Sequence, residues 1–386
     1  MEPIKLLTFS RFIKGLSTAS LEAEYFDEYV QLGNYVENVT IVTTDYEPIK
    51  LPKNVKISKV SVSNIPKLRG LLKIISYIRA PFKLKGINLL YVRTLSPPEI
   101  FSFWIAKYFL KTPSVLMVGG TCFYEPINFK NRIFRWSFSK ALDAADKIVV
   151  YSDKMIPFIQ KINHALDNSK FEIVHNAIDD KRFLPQDKDT HLLKKLKISP
   201  NENVLLFIGK INERKGVIDI LQMLTLLKNK NTKAVFIGQY EKNSNEFRKI
   251  KQVINSSQIE DKVIFLGEIP NDELVKHISY ADVFVYLTKA CEGIPRAILE
   301  SMSCGKPIVA TSVAGIPEAV RDNKTGFIVE NASEASQKVD LLLSDPTLYK
   351  QISANCRKVV QEEFTYNVTL PKLVRIFKSL INKKID

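Results

Sequence analysis

The chain has 386 residues, 45% of them apolar and 25% charged, which excludes a collagenous, low-complexity or wholly disordered protein and suits two or three globular domains. Its formal net charge is +15, and the segment 51–150 alone holds seventeen Lys/Arg against four Asp/Glu, so most of the excess lies in the first half. The four cysteines (Cys122, Cys291, Cys304, Cys356) form no C-x-x-C pair, which argues against a disulfide framework or a zinc site and suits a reducing cytosol.

No stretch reaches the roughly 18 uninterrupted apolar residues of a membrane span, and the first residues, MEPIKLLTFSRF, lack the apolar centre of a signal peptide. The expectation is a soluble, cytoplasmic protein.

In chain order, short β-branched runs predict strands at 4–9, 39–43, 55–60, 89–92, 114–118, 147–151 and 171–174, with helices at 21–32, 98–110 and 133–142. This βαβα rhythm is that of a parallel sheet covered on both faces. The densest basic stretch, 67–85, interleaves six cations with Leu68, Leu71, Leu72, Ile74, Ile75, Tyr77, Ile78 and Phe82. It can lie on an anionic membrane surface or pack one apolar face onto its own sheet. No recognition motif points to nucleic acid.

A polar interval from 179 to 203 breaks the rhythm. Strands then resume at 203–208, 233–237, 262–266, 283–287, 307–310 and 326–329, with helices including 217–229 and 272–279. The economical reading is two doubly wound α/β domains joined near residue 185. Their ligands are expected beyond the carboxyl ends of the strands, in the cleft between the domains.

After the strand at 203–208 comes Gly209-Lys210-Ile-Asn-Glu-Arg214-Lys215-Gly216, three cations between glycines ahead of a helix. Backbone amides, the helix dipole and the ammonium groups would together favour a phosphate. The loop alone is equally compatible with solvated lysines. After the strand at 283–287 comes Thr288-Lys-Ala-Cys291-Glu292-Gly293-Ile294-Pro295-Arg296, followed by Glu300. Pro295 suits a helix start, because the first turn has amides to spare. Glu292 then falls in the loop and Glu300 in the helix. The loop after 307–310, with Gly315, Pro317 and Glu318, repeats the design. Two helix starts and two lysines suit a diphosphate, and two carboxylates beside them suit a polyol.

The run E-G-x-P-x-x-x-x-E-S-M-x-x-G-x-P-I-V-A-T at 292–311 resembles the signature of the family 4 glycosyltransferases of GT-B fold. The loop 209–216 resembles the same family's phosphate loop. Further segments similar to the family are Phe265-Leu-Gly267, Ala281-Asp282-Val283, Ala314-Gly-Ile-Pro-Glu318, Thr325-Gly326 and His175-Asn176-Ala-Ile-Asp179 with Phe183. The resemblance is dense over 147–330 and thin before it.

It implies a GT-B protein, two Rossmann-like doubly wound parallel-sheet domains facing a central cleft. The acceptor domain would be 1–185, the nucleotide-sugar domain 186–365, and a helix at 366–386 would cross back to the first. It further implies a retaining, metal-independent transferase that moves a sugar from a nucleotide diphosphate donor to a glycan or lipid-linked acceptor, with no cofactor. Lys210, Lys215 and Glu292 would be catalytic. The donor would be bound by Gly15, Gly209, Lys210, Lys215, Phe265, Gly267, Ile269, Glu292, Gly293, Ile294, Pro295 and Glu300. In this picture Lys215 meets the diphosphate, Glu292 the sugar hydroxyls, Glu300 the ribose and 265–269 the base, and no metal is held.

Two departures stand out. Gly119-Gly120 occupies a place where the family often has a histidine, and the loop 13–17 has one glycine, Gly15, where the family often has two. Tyr124 and Glu125 are candidates for acceptor contact. With the basic stretch in the acceptor domain, peripheral attachment to the inner face of the cell membrane through 67–85 is expected. The alternative is a non-catalytic protein that holds a sugar nucleotide or a polyanion on the same scaffold.

Overall fold

Apolar runs become strands here because both faces of each central strand are covered, so every side chain along them is buried. The computed structural model describes residues 2–10, 12–13, 21–60, 69–93, 97–119 and 132–383. Gly15, Lys67, Leu68, Gly120, Cys122, Tyr124 and Glu125 lie outside the described residues.

The chain divides into two units, Met1–His175 with Tyr366–Asp386, and Asn176–Thr365. The first contains β1 (Lys5–Phe9), β2 (Phe12–Ile13), α1 (Leu21–Leu32), β3 (Asn38–Thr43), β4 (Asp45–Tyr46), β5 (Val55–Lys59), α2 (Arg69–Lys83) and β6 (Leu89–Val92). It continues with α3 (Pro97–Leu110), β7 (Ser114–Val118), α4 (Arg132–Ala144), β8 (Lys147–Val150), α5 (Ile156–Gln160) and β9 (Phe171–Ile173). The second unit contains α6 (Thr190–Lys195), β10 (Asn203–Ile208), α7 (Val217–Leu226), β11 (Thr232–Ile237), α8 (Asn245–Ser256), β12 (Val263–Gly267), α9 (Leu274–Ser279) and β13 (Val283–Tyr286). It ends with α10 (Arg296–Ser303), β14 (Ile308–Thr311), α11 (Ile316–Ala319), β15 (Gly326–Val329), α12 (Ala332–Ser344) and α13 (Pro346–Glu363), before α14 (Tyr366–Asn382) rejoins the first unit.

The first sheet is seven-stranded and parallel, in the order β5-β3-β1-β6-β7-β8-β9; β2 and β4 form a small separate pair. The second is six-stranded and parallel, β12-β11-β10-β13-β14-β15. Counted in chain order within each sheet, the second runs 3-2-1-4-5-6, the doubly wound Rossmann order, and the first runs the same with a seventh strand added at the end. In both, the strand order reverses beside the first strand, between β1 and β6 and between β10 and β13. Loops leaving those strands diverge and open a crevice.

Several boundaries differ from expectation for identifiable reasons. The seam falls after His175, ahead of 185, because Ile178 and Phe183 are buried in the second unit's core. Phe183 O accepts bonds from Ser303 Oγ (2.7 Å) and Arg357 Nη1 (2.8 Å), and Ile178 N donates to Phe364 O (2.9 Å). α7 stops at Leu226, short of 229, because the Asp340 carboxylate accepts from the amides of Lys228 (2.9 Å) and Asn229 (3.2 Å). α14 is held to the first unit by a Tyr366–Asp27 hydrogen bond (3.0 Å) and by Phe377 packed on Tyr91 with ring centroids 5.3 Å apart.

Candidate active site

In the second unit, the expected loops leave the two strands that flank the point of reversal. Gly209 N donates to Ile237 O (2.9 Å) and Ile211 N to Gln239 O (2.9 Å), so the first loop begins as an extension of the sheet. Asn212 then accepts from Lys215 N (2.9 Å), capping a single turn, Glu213–Lys215. The turn closes on Gly216, whose φ of 78° is left-handed. A Cβ there would lie 1.9 Å from Leu287 O, so only glycine lets this loop meet the one after β13. Lys289 N donating to Arg214 O (2.9 Å) joins the two loops.

This joining brings Lys215 to Glu292. The Lys215 ammonium is ion-paired with Glu292 Oε1 and donates to Tyr286 Oη (3.0 Å), while Tyr286 Oη donates to Glu292 Oε2 (3.2 Å). The ammonium also lies 5.6 Å from the centre of the Tyr286 ring. The two charged side chains are only 15% and 13% exposed, so their attraction is less screened than that of a surface pair. Tyr286, the last residue of β13, was not among the expected site residues. In the sequence it is indistinguishable from the other aromatics of a buried strand, and its hydroxyl acquires a role only by meeting this pair.

The other expected residues divide into groups. Lys210 is exposed and forms no ion pair among the described residues, so it is not part of the triad. Ile294 is buried, and its carbonyl accepts from Asn176 Nδ2 (3.2 Å), which ties Gly293, Ile294 and Pro295 to the segment that opens the second unit. Pro295 is the residue just before α10. Glu300 is not on the surface. It is 3% exposed inside α10, and Arg296, 3.6 Å away, neutralises it while donating to Ala177 O (2.9 Å).

Phe265 is half-buried on edge strand β12, against Phe236 and Phe247 with centroids 5.2 and 5.4 Å away. Gly267 has a φ of 76° with open space where a Cβ would stand, and its carbonyl accepts from Gly238 N (2.8 Å). Ile269, also half-buried, packs against the core just beyond. Gly238, not among the expected site residues, brings its own Cα so close to the Gly209 carbonyl that a Cβ would lie 2.0 Å from it. Gly209, Gly238 and Gly267 thus follow or end three adjacent strands and leave bare backbone there.

The third loop closes behind the second. Gly315 N donates to Glu292 O (3.3 Å) and Thr311 Oγ1 to Thr288 O (2.6 Å). The helix after it, α11, is one turn long. It supplies amide groups but no long helix dipole, unlike the expectation of two equivalent helix starts. Separately, a cavity of about 390 Å³ opens at the carboxyl ends of β13, β14 and β15, beside an Asp219–Lys289 ion pair (2.9 Å); its lining includes none of the expected residues. No cluster of metal-binding side chains occurs among the described residues.

The first unit has its own charged cluster at its point of reversal. Arg93, directly after β6, is buried, ion-paired with Glu28 and hydrogen-bonded to the Tyr151 hydroxyl, with its guanidinium 4.4 Å from the centre of the Tyr25 ring. Tyr91 Oη donates to Glu28 Oε1 (3.0 Å). A Cβ on Gly119 would lie 2.9 Å from Tyr151 Cε2, so the tyrosine ring fills the space a side chain at 119 would need. That gives a steric reason for the glycine where a histidine was looked for.

Residues 188–359 match the family model of the glycosyl transferases group 1. Among curated relatives, N-acetyl-alpha-D-glucosaminyl L-malate synthase of Bacillus anthracis is 28% identical over 53% of this chain and 55% of its own length. The capsular polysaccharide biosynthesis glycosyltransferase CapM of Staphylococcus aureus is 26% identical over 57% of this chain and 54% of its own. The aligned segment thus spans about half the length of these relatives. Among solved structures, Anabaena Alr3699/HepE in complex with UDP and glucose aligns with a TM-score of 0.79 at 17% identity, covering 98% of this chain and all of that one. Over 188–359 the second unit is thus similar to the glycosyl transferases group 1, and the two Rossmann-like units carry the GT-B fold.

Proposed function

We propose that the chain is a retaining, metal-independent glycosyltransferase that moves a sugar from a nucleotide diphosphate donor to a hydroxyl of a glycan or lipid-linked acceptor. The observation that carries this reading is the Lys215–Tyr286–Glu292 triad, formed by two joined loops at the point where strand order reverses. An incoming diphosphate offers Lys215 a stronger partner than Glu292. The ammonium turns to the phosphates, and the released carboxylate becomes free to accept from the sugar's hydroxyls. The pair therefore acts as an exchange in which donor binding exposes both groups for use.

As the glycosidic bond breaks, negative charge gathers on the departing diphosphate. Lys215, Lys210 and the amides of Gly293 and Ile294 would stabilise it electrostatically. No protein base is required, since a diphosphate oxygen can take the acceptor's proton on the same face, which retains configuration. Gly267 and Phe265 would border the base. A nucleotide-sugar donor is supported by the UDP and glucose held by the HepE structure, and a polysaccharide or glycolipid setting by the relative named for capsule synthesis. Attachment to an anionic membrane through the basic first unit, from the cytoplasmic side, belongs to the same proposal. No helix among the described residues is long and apolar enough to cross a membrane.

The test is release of nucleoside diphosphate from a panel of nucleotide-sugars, with and without a chelator, followed by the anomeric configuration of the transferred sugar. Release that survives chelation and a product with the donor's configuration are expected. Inversion, or loss of activity on chelation restored by a divalent ion, would overturn the mechanism. A non-catalytic binder has one observation in its favour, the Tyr151 ring at Gly119. Binding of a nucleotide-sugar with no release from any donor would select that reading.

A further inference from the structure

Helix α3 is apolar on two opposite sides. Ile100, Phe103 and Ala106 are fully buried. The other stripe, Phe101, Trp104, Ile105, Tyr108 and Phe109, follows the same helical spacing and points outward: Tyr108 is 70% exposed and Phe109 65%. The patch extends onto both neighbouring helices. The Phe82 ring of α2 meets Phe109 edge-on with centroids 6.0 Å apart, and the Trp136 ring of α4 meets Trp104 likewise at 5.4 Å. Phe82 and Trp136 are themselves about half exposed. A contiguous aromatic surface of this kind is rarely left to water in a monomer.

The surrounding charge is mainly positive. Arg79, Lys83, Lys111, Arg135 and Lys140 are exposed on or directly after the three helices. Arg79 is one turn from Phe82 and Lys140 one turn from Trp136, so each shares a face with the ring. The carboxylates of these helices are Glu99, which is fully buried, and Asp143, which accepts from Asn163 Nδ2 (2.6 Å).

We propose that the outward aromatic stripe of α3, with Phe82 and Trp136 beside it, is the surface that inserts into the headgroup region of an anionic lipid bilayer, and that the lysines and arginines around it bind the lipid phosphates. Rings with polar edges set among cations have the composition of a membrane interface. The surface is helical, outward-facing and mainly cationic at its edges, which complements an anionic leaflet. This rests on the membrane attachment proposed above and changes its location: the apolar contact belongs to α3, whereas the basic stretch 67–85 contributes charge and one ring, Phe82.

The chain has two tryptophans, Trp104 and Trp136, and both are in the patch, so the intact protein carries its own reporter. Vesicles of neutral lipid, and of neutral lipid with anionic lipid added, are titrated while tryptophan emission and co-flotation are followed. Anionic vesicles are expected to shift emission to the blue and carry the protein upward. The double variant Tyr108→Ser/Phe109→Ser should reduce vesicle partitioning by about tenfold or more. The variant Arg79→Gln/Lys83→Gln/Lys140→Gln should remove the preference for anionic lipid. Flotation of the wild type with unshifted emission, and equal flotation of the aromatic variant, would refute this surface while leaving membrane attachment standing. No flotation with either vesicle would refute both, and concentration-dependent dimerisation abolished by Phe109→Ser would refute this surface. Stabilisation by nucleotide-sugar, measured on the same preparations, reports the donor site independently and confirms that the variants are folded.

Discussion

Replacing Gly216 by alanine tests the packing that assembles the site. The residue is left-handed at φ 78°, and a Cβ would stand 1.9 Å from Leu287 O and 2.3 Å from Leu287 C, where nothing under 3.0 Å is tolerated. Backbone rather than a flexible side chain must therefore retreat, by more than an ångström. The left-handed conformation costs alanine about 1–2 kcal/mol, overpacking adds about 1–3 kcal/mol, and loss of the Lys289 N to Arg214 O bond about 1 kcal/mol more. The total of about 3–6 kcal/mol corresponds to a fall in melting temperature of roughly 6–24 °C for a unit of this size. Gly267→Ala is the control: its φ is 76°, yet no atom lies within 4 Å of the added Cβ, so only the conformational cost applies, about 1–2 kcal/mol. Thermal melts of both variants, with nucleoside diphosphate titrated into each, separate the two costs. Equal destabilisation of the two, or a Gly216→Ala protein that melts within 2–3 °C of wild type, would refute the reasoning.

Other consequences are as specific. Glu292→Gln weakens the hold on the Lys215 ammonium, so calorimetry should find nucleoside diphosphate bound at least as tightly as by wild type, while sugar transfer falls by two orders of magnitude or so; weaker diphosphate binding would contradict the exchange. Gly119→Ala pushes the Tyr151 ring against the Arg93–Glu28 pair and should cost about 1–3 kcal/mol in a chemical melt, an effect that Tyr151→Ala in the same chain should relieve. Burial holds His277 below its ordinary pKa of 6.5, against the opposing pull of Glu273 and Asp189. The unfolded chain therefore takes up that proton first, and stability is lost as pH falls from 6.5 toward the folded value. Melting temperatures across that window should fall less steeply in His277→Gln; an unchanged slope would assign it to other groups.

The fold was legible because each buried strand is a short β-branched run and each connection a longer periodic one, and parallel topology follows from that alternation. The candidate site was legible where a loop carries glycine and charge together, at 209–216 and 288–296. Residues whose role depends on a partner distant in sequence were not. Tyr286 reads as core until its hydroxyl is seen between Lys215 and Glu292, and Gly238 reads as a turn until its backbone lies against Gly209. Arg93 and Glu28, 65 positions apart, carry no spacing signal. Helix α3 escaped notice for the opposite reason: with apolar residues on both sides it shows little amphipathic contrast, so its outward stripe could be separated from its core stripe only by exposure. Glu300 was correctly assigned to a helix, but its burial with Arg296 depends on how α10 packs against the segment 176–183.

The central claim, that Lys215 at the reversal point of the second sheet holds a nucleotide diphosphate, is tested most directly by thermal shift. Nucleoside diphosphates and nucleotide-sugars are added without metal to wild type and to Lys215→Ala. Selective stabilisation by one nucleotide-sugar, growing with its concentration and lost in the variant, is the predicted result and would name the donor. Stabilisation that persists undiminished in Lys215→Ala, or none from any nucleotide in the wild type, would contradict it.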